Sequence, residues 1–151
     1  MSIEDDIAFL ERVPALSLLG RDALRILAIG SESRYVHEGV TLFAEGEDAD
    51  SAFVVQEGSF ELVTNGGASE MIGPGALMGE LALVSEMKRP TAAIAREPSS
   101  VVRITRQLFM KMLESDPAAA TRMRDALAAR VNAAATEFSR VRSILTGGSV
   151  R

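Results

Sequence analysis

Residues 73–95 read Gly73-Pro74-Gly75-Ala76-Leu77-Met78-Gly79-Glu80-Leu81-Ala82-Leu83-Val84-Ser85-Glu86-Met87-Lys88-Arg89-Pro90-Thr91-Ala92-Ala93-Ile94-Ala95. Gly79 permits a close backbone turn, because a residue without Cβ enters positive φ at no steric penalty. Glu80-Leu81-Ala82-Leu83-Val84 then predict one short helical turn, and the unsatisfied N–H groups at the start of such a turn attract an anion. Arg89 arrives at the start of a strand, from which its guanidinium can return to the same place. A carboxylate, a ring of backbone donors and a guanidinium then face one small site, a set suited to a ligand that carries both a phosphate and hydroxyls. Spacing alone leaves a second reading equally open, in which Glu80 and Arg89 form a surface ion pair across a loop.

The flanks of this stretch have β character. Thr41-Leu42-Phe43 lies between Gly39 and Gly46, and Ser51 to Gln56 is β-rich and stops at Glu57-Gly58. Phe60 and Leu62 alternate with Glu61 as a half-buried strand requires. Asn65-Gly66-Gly67 is a hairpin turn, since its residues tolerate positive φ. Ser69 to Ile72 is the returning strand, ended by Gly73-Pro74-Gly75. Thr91 to Ala95 and Ser99 to Thr105 read as a further pair around Glu97-Pro98, with Val102 and Ile104 on one face.

The ends of the chain have helical spacing instead. Ile3, Ile7 and Leu10 start a stripe that Pro14 interrupts. Leu16, Leu19, Ala23, Leu24 and Leu27 continue it to Gly30. After Thr105 the helical period returns through Leu108, Phe109 and Met112, and Asp116-Pro117 marks a break and a new helix start. A long helix rich in Ala and Arg is expected from about Pro117 to Leu145, before Gly147-Gly148. Helices, then about eight short strands, then helices predict an α+β fold with a β-roll core. The roll is expected to be eight-stranded, a double-stranded β-helix or jelly roll, within a single domain over 1–151. Its parts are N-terminal helices at 1–31, the roll at 32–105 and C-terminal helices at 106–145.

Composition excludes several function classes. The 151 residues are 47% apolar and 25% charged, ordinary values for one globular domain. The net charge of −5, with no block of Lys or Arg, argues against a dedicated nucleic-acid surface. The absence of cysteine rules out disulfides, thiolate metal sites and cysteine nucleophiles. A histidine-based metal site needs two or three imidazoles, and His37 is the whole supply. It lies in Tyr35-Val36-His37-Glu38-Gly39 and reads as a surface residue at a strand end. No metal, no cofactor and no catalytic activity are expected. No apolar run approaches the roughly 20 residues of a membrane helix, and the acidic N-terminus lacks the pattern of a signal peptide. A cytoplasmic location with no membrane contact is expected.

Gly79-Glu80-Leu81-Ala82-Leu83, followed after five residues by Arg89, resembles the phosphate-binding cassette of cyclic-nucleotide-binding domains. Such domains occur in catabolite activator proteins, protein kinase A regulatory subunits and nucleotide-gated channels. The resemblance covers about residues 10 to 145. Gly39, Gly46 and Gly58 fall where that family's roll has turn glycines, and Phe53-Val54-Val55-Gln56-Glu57-Gly58 is similar to its third strand and turn. Gly73-Pro74-Gly75 resembles the lead-in to the cassette. Ile104-Thr105-Arg106 through Phe109 resembles the exit into the first C-terminal helix. The resemblance implies a non-catalytic sensor whose ligand is cAMP or cGMP. It implies that Glu80 accepts a hydrogen bond from the ribose 2′-hydroxyl and that Arg89 pairs with the cyclic phosphate. It implies that backbone N–H groups near Leu81 and Ala82 also hold the phosphate, and that Gly79 permits the close approach. Leu77, Val63 and Ile72 are expected to line the base pocket.

Pro90 departs from the family pattern, where Ala, Ser or Thr often follows the arginine; proline removes one backbone donor. A threonine directly after the arginine accompanies cGMP in some members. Thr91 stands one position later and, by strand alternation, is expected to face away, which favours cAMP. The cassette therefore spans 79–91, with Gly79, Glu80, Leu81, Ala82, Arg89, Pro90 and Thr91 as candidate ligand residues. Catabolite-activator relatives continue into a DNA reader, and with Arg151 ending this chain no direct DNA binding is expected. The alternatives are the effector domain of such a regulator without its DNA-binding part, or a degenerate scaffold that binds no nucleotide. Leu127, Val131, Ala134, Phe138, Val141 and Leu145 are spaced 4-3-4-3-4, which fits a homodimer seam or packing on the chain's own roll. Met123 and Leu127, with Arg122, Arg124 and Arg130, are candidates to cap the base, and an unknown regulated protein would read the movement of this helix.

Overall fold

The computed structural model describes residues 2–126 together with 128 and 129. Helix α1 (Ile3–Glu11) opens on a capping box: the Asp5 N–H donates to the Ser2 hydroxyl at 3.1 Å, and the Ser2 N–H donates to the Asp5 carboxylate at 3.4 Å. Its apolar spacing buries Ile7 and Leu10. Pro14 sits in the turn that follows, and a single 3₁₀ turn (Ser17–Leu19) leads into α2 (Arg21–Gly30), which buries Ala23, Leu24, Leu27 and Ala28. Every apolar position of the expected stripe from Ile7 to Leu27 is buried, and each Leu or Ile so covered contributes about 1.5–3 kcal/mol.

Ten strands follow among the described residues. They are β1 (Glu32–Val36), β2 (Thr41–Phe43), β3 (Asp48–Ala49), β4 (Ser51–Glu57), β5 (Phe60–Val63), β6 (Ser69–Ile72), β7 (Leu77–Met78), β8 (Met87–Lys88), β9 (Ala92–Ala95) and β10 (Ser99–Thr105). All pairings are antiparallel. Two four-stranded sheets, in the orders β1-β10-β4-β7 and β2-β9-β5-β6, form the roll, and β3 pairs with β8 beside them. The expected count of eight is approximate. Three of the ten, β3, β7 and β8, are each two residues long and carry too little sequence for any period to show.

One expected pairing is overturned. β9 and β10 do not pair with each other; they belong to opposite sheets. Glu97-Pro98 does turn the chain, but the turn is a crossing between layers. It is stitched to the parallel crossing at Gly58-Ser59. The Arg96 N–H donates to the Ser59 carbonyl at 3.0 Å, and the Ser59 N–H donates to the Ser99 hydroxyl at 3.2 Å. Gly58, at φ +89°, leaves no room for a Cβ against Ser99. Turn chemistry at Pro98 reports a change of direction and not which strand the chain joins.

The apolar residues form two clusters. The inner one fills the roll with Phe43, Phe53, Val55, Phe60, Met78 and Val101 among others. The outer one packs α1, α2 and the next helix against the back of the first sheet, through Ala52, Val54, Val102 and Ile104. β4 alternates between them, Phe53 and Val55 inward, Ala52 and Val54 outward, so it is buried on both faces and reads as a continuous apolar run. Helix α3 (Arg106–Ser115) starts at Thr105, whose hydroxyl accepts from the Leu108 N–H at 3.1 Å, and buries Phe109 and Met112. Asp116 breaks it and caps the next helix, its carboxylate accepting from the Ala119 N–H at 3.2 Å. Residues 117–126 are helical. Leu127, Arg130 and the rest of the expected seam (Val131, Ala134, Phe138, Val141 and Leu145) lie outside the described residues. Among the described residues no helix is long and apolar enough to cross a membrane.

Candidate functional site

Gly79 adopts φ 77° and ψ 35°, the left-handed conformation that glycine enters readily, and caps a 3₁₀ turn at Glu80–Leu83. A Cβ at this position would lie 2.5 Å from Arg89 Nη1, so the glycine also makes room for the arginine. Arg89 follows β8 directly. Its backbone is fixed on both sides: its N–H donates to the Glu47 carbonyl at 2.7 Å, and its carbonyl accepts from the Gly46 N–H at 2.8 Å.

The Arg89 side chain is only 5% exposed. Nη2 donates to the Ser51 hydroxyl at 3.4 Å, while Nε and Nη1 are buried with no hydrogen-bond partner among the described residues. The guanidinium carbon lies 4.4 Å from the Phe43 ring centroid and 5.5 Å from that of Phe53. Burial pushes the Arg89 pKa below its ordinary value; the negative charges of Asp50 and Glu47 counter this, and Arg103 adds to it. An arginine stays cationic in a protein even so. A buried donor without a partner costs about 1–3 kcal/mol, and more when charged. Arg89 is thus an intact positive charge with two unpaired donors, held out of water. Surface ion-pair chemistry does not describe it, which removes the second reading left open by spacing.

Arg89 borders a cavity of about 280 Å³. It is lined by Gly79, Glu80, Leu81, Arg89, Pro90 and Thr91, six of the seven expected site residues. Ala82 is not among them. Its side chain is buried, and its N–H donates to the Gly79 carbonyl at 3.0 Å, as the tight turn requires. Thr91 does line the cavity, against the expectation that it faces away. Residues 89–91 lie between β8 and β9, outside either strand, so strand alternation does not set the side that Thr91 faces.

The expected base-pocket residues are partly corrected. Leu77 lines the cavity, but Val63 and Ile72 do not. Leu62 takes the place of Val63, since neighbours on a strand point to opposite faces, and Ile72, opposite Phe60, packs on the inner cluster. Phe43, Met78 and Met87 complete the lining and were not anticipated. Strand periodicity marks Phe43 as inward-facing, but nothing local tells which inward residue meets the arginine.

The turn that carries Glu80 is anchored from behind. Arg106 Nε donates to the Ala82 carbonyl at 2.8 Å and Nη2 to the Ala49 carbonyl at 2.6 Å. A second cavity, about 190 Å³, lies on the other side of the turn against Pro14, Leu18, Phe109 and Met123. It shares Leu77, Glu80 and Leu81 with the first, so the 3₁₀ turn is the wall between them. Two of the expected base caps are placed elsewhere. Met123 lines this second, apolar cavity, and the Arg122 guanidinium donates to the carbonyls of Leu18 and Leu19. Arg124 is exposed. His37 is exposed at the strand end and meets Tyr35 edge-on, at 4.5 Å between ring centroids.

This fold and this site define a ligand-binding β-roll rather than a packed barrel. A family model described as cyclic nucleotide-binding domain matches residues 33–116, more than half of the chain and the whole of the cassette. The chain belongs to the cyclic nucleotide-binding domain family. It is 31% identical over 118 residues to an uncharacterized protein of Mycobacterium tuberculosis, a match covering 78% of this chain and 21% of that one. It is 30% identical over 107 residues to a cAMP-dependent protein kinase regulatory subunit of Yarrowia lipolytica, covering 70% of this chain and 28% of the relative. The chain therefore spans between about a fifth and just over a quarter of the length of these curated relatives. Among solved structures, a cyclic nucleotide-binding-like protein from Brucella abortus matches at 36% identity with a TM-score of 0.65, covering 73% of this chain and 98% of that one.

Proposed function

We propose that this chain is a cyclic-nucleotide sensor that takes cAMP in the Arg89 cavity and acts by binding rather than by catalysis. The observation that carries the reading is the buried, cationic Arg89, with Nε and Nη1 unpaired on a cavity that Glu80 also lines. The cyclic phosphate supplies the anion those donors lack, and the ribose 2′-hydroxyl donates to Glu80. Leu62, Leu77 and Met78 offer the apolar wall a purine needs. The relative named for cAMP supports adenine as the base. Placement of Thr91 on the cavity favours cGMP as a second reading, because a hydroxyl near the phosphate partner can also bond to guanine. Binding is read out through the helix that starts at residue 117, by a regulated protein in the cytoplasm.

Isothermal titration with cAMP and cGMP tests this directly. Saturable binding of cAMP, tighter than cGMP, is expected. Tighter cGMP binding supports the second reading, and no binding of either makes the chain an interaction scaffold.

A further inference from the structure

Phe43 lies under the arginine. The Arg89 guanidinium carbon is 4.4 Å from its ring centroid, inside the range of a cation–π contact, and 5.5 Å from that of Phe53. The two rings stack with centroids 5.9 Å apart and planes 25° from parallel. Both are nearly covered, Phe43 at 5% and Phe53 at 4% exposure. They belong to different sheets, β2 and β4, so the roll must close before they meet.

A guanidinium is planar, and its two kinds of surface attract different partners. Its faces are drawn to the negative face of an aromatic ring, and its edges carry the N–H donors. Nε and Nη1, the two atoms left without partners, are edge groups. Ring contact and anion contact therefore use different parts of the same group and do not compete. An aliphatic residue of similar volume in place of Phe43 fills the space but offers the charge no quadrupole. The long side chain is then free to leave a position in which it is desolvated and unpaired.

We propose that Phe43, backed by Phe53, is a positioning residue for Arg89: the paired rings hold the guanidinium face so that its edge stays turned to the incoming anion before any ligand is present. This rests on the reading of Arg89 as the phosphate partner. Phe43 itself makes no hydrogen bond to the ligand; it acts through the arginine.

The test compares wild type with Phe43→Leu and Phe43→Tyr, using Phe43→Met where the leucine variant does not fold. The first readout needs no nucleotide. Ring currents displace the Arg89 Hε and δ-proton resonances in ligand-free wild type, assigned by their loss in Arg89→Lys. The displacement is expected to persist in Phe43→Tyr and to collapse in Phe43→Leu. The second readout is cAMP affinity, expected to fall roughly 5- to 30-fold in Phe43→Leu, the range of a partly desolvated cation–π contact, and to stay within about twofold in Phe43→Tyr. Unchanged Arg89 resonances in Phe43→Leu overturn the inference, as does equal weakening by Leu and Tyr, which signals simple packing. A wild type that binds no cAMP overturns the functional reading instead, while the resonance comparison still decides whether Phe43 holds Arg89.

Discussion

Burying Arg89 with two unpaired donors costs stability, and on the proposed reading an anion offsets that cost. Removing it should therefore separate folding from binding. Arg89→Met is expected to leave thermal stability unchanged or raised, because a buried cation with unpaired donors gives way to apolar volume. The same variant is expected to lose about 2–5 kcal/mol of cAMP binding, roughly 30- to several-thousand-fold. Paired melting and titration curves check both signs, and unchanged affinity in the folded variant removes Arg89 from the site. Glu80 carries the complementary prediction. A hydrogen bond to an ionised carboxylate is worth about 1.5–3 kcal/mol, so wild type should reject 2′-deoxy-cAMP and Glu80→Gln should lose part of that discrimination. Equal binding of the two nucleotides by wild type excludes Glu80 as the ribose acceptor. At this scale the sequence was most legible at Gly79 and Arg89, because a positive-φ turn and a guanidinium are chemical statements about single residues. Phe43, Ser51 and Leu62 were not legible, because their roles arise only when distant strands are brought together.

The 3₁₀ turn at Glu80–Leu83 and the short β3–β8 ladder are the elements that hold the arginine and the carboxylate in register. Behind them, Ser51 accepts from Arg89, and Asp50 pairs with Arg103, Nη2 to Oδ1 at 3.3 Å. Partial burial pushes the Asp50 carboxyl up, but the Ser51 hydroxyl and the Arg103 charge outweigh it, and its pKa is lowered. A carboxyl lowered in the folded state adds stability above its unfolded pKa of about 4 and loses it as pH falls through the folded value. The Asp50 carboxylate is largely exposed, so the contribution of the pair is below about 1 kcal/mol. Asp50→Asn is expected to lower the melting temperature slightly at neutral pH and to converge with wild type as pH falls through the lowered folded value. Parallel melting curves that keep a constant gap into acid contradict that role. β10 was readable because its seven residues display a period, and β4 because a continuous apolar run bounded by Glu57-Gly58 marks a buried strand. β3, β7 and β8 were not, since two residues are too few to display a period. The crossing at Glu97-Pro98 was misread for a related reason: it has the chemistry of a hairpin and the topology of a layer change.

Across the whole molecule, the wall between the two cavities is also the contact between the ligand site and the C-terminal helix. Leu81 and Glu80 face the Arg89 cavity and, with Leu83 and Val84, the apolar one, whose far side is Met123 and Ala126. Leu81 is 51% exposed, a large apolar side chain half in water. A nucleotide that draws Glu80 and the turn toward Arg89 changes the apolar wall that Met123 meets. Arg122 holds the same helix to the Leu18 and Leu19 carbonyls, so a shift of the turn is shared between the N-terminal segment and the helix. A ligand moves such an equilibrium only by its differential contacts with the two arrangements. Covering Leu81 supplies one, at about 25 cal/mol per Å² of apolar surface removed from water. Amide hydrogen exchange with and without cAMP is therefore expected to show rising protection at residues 79–84 and 117–126 together. In Arg122→Gln the rise at 79–84 should persist while that at 117–126 shrinks, because the helix loses its second anchor. Protection confined to 79–84 in wild type makes the helix a static support, and the signal then leaves the roll by another surface.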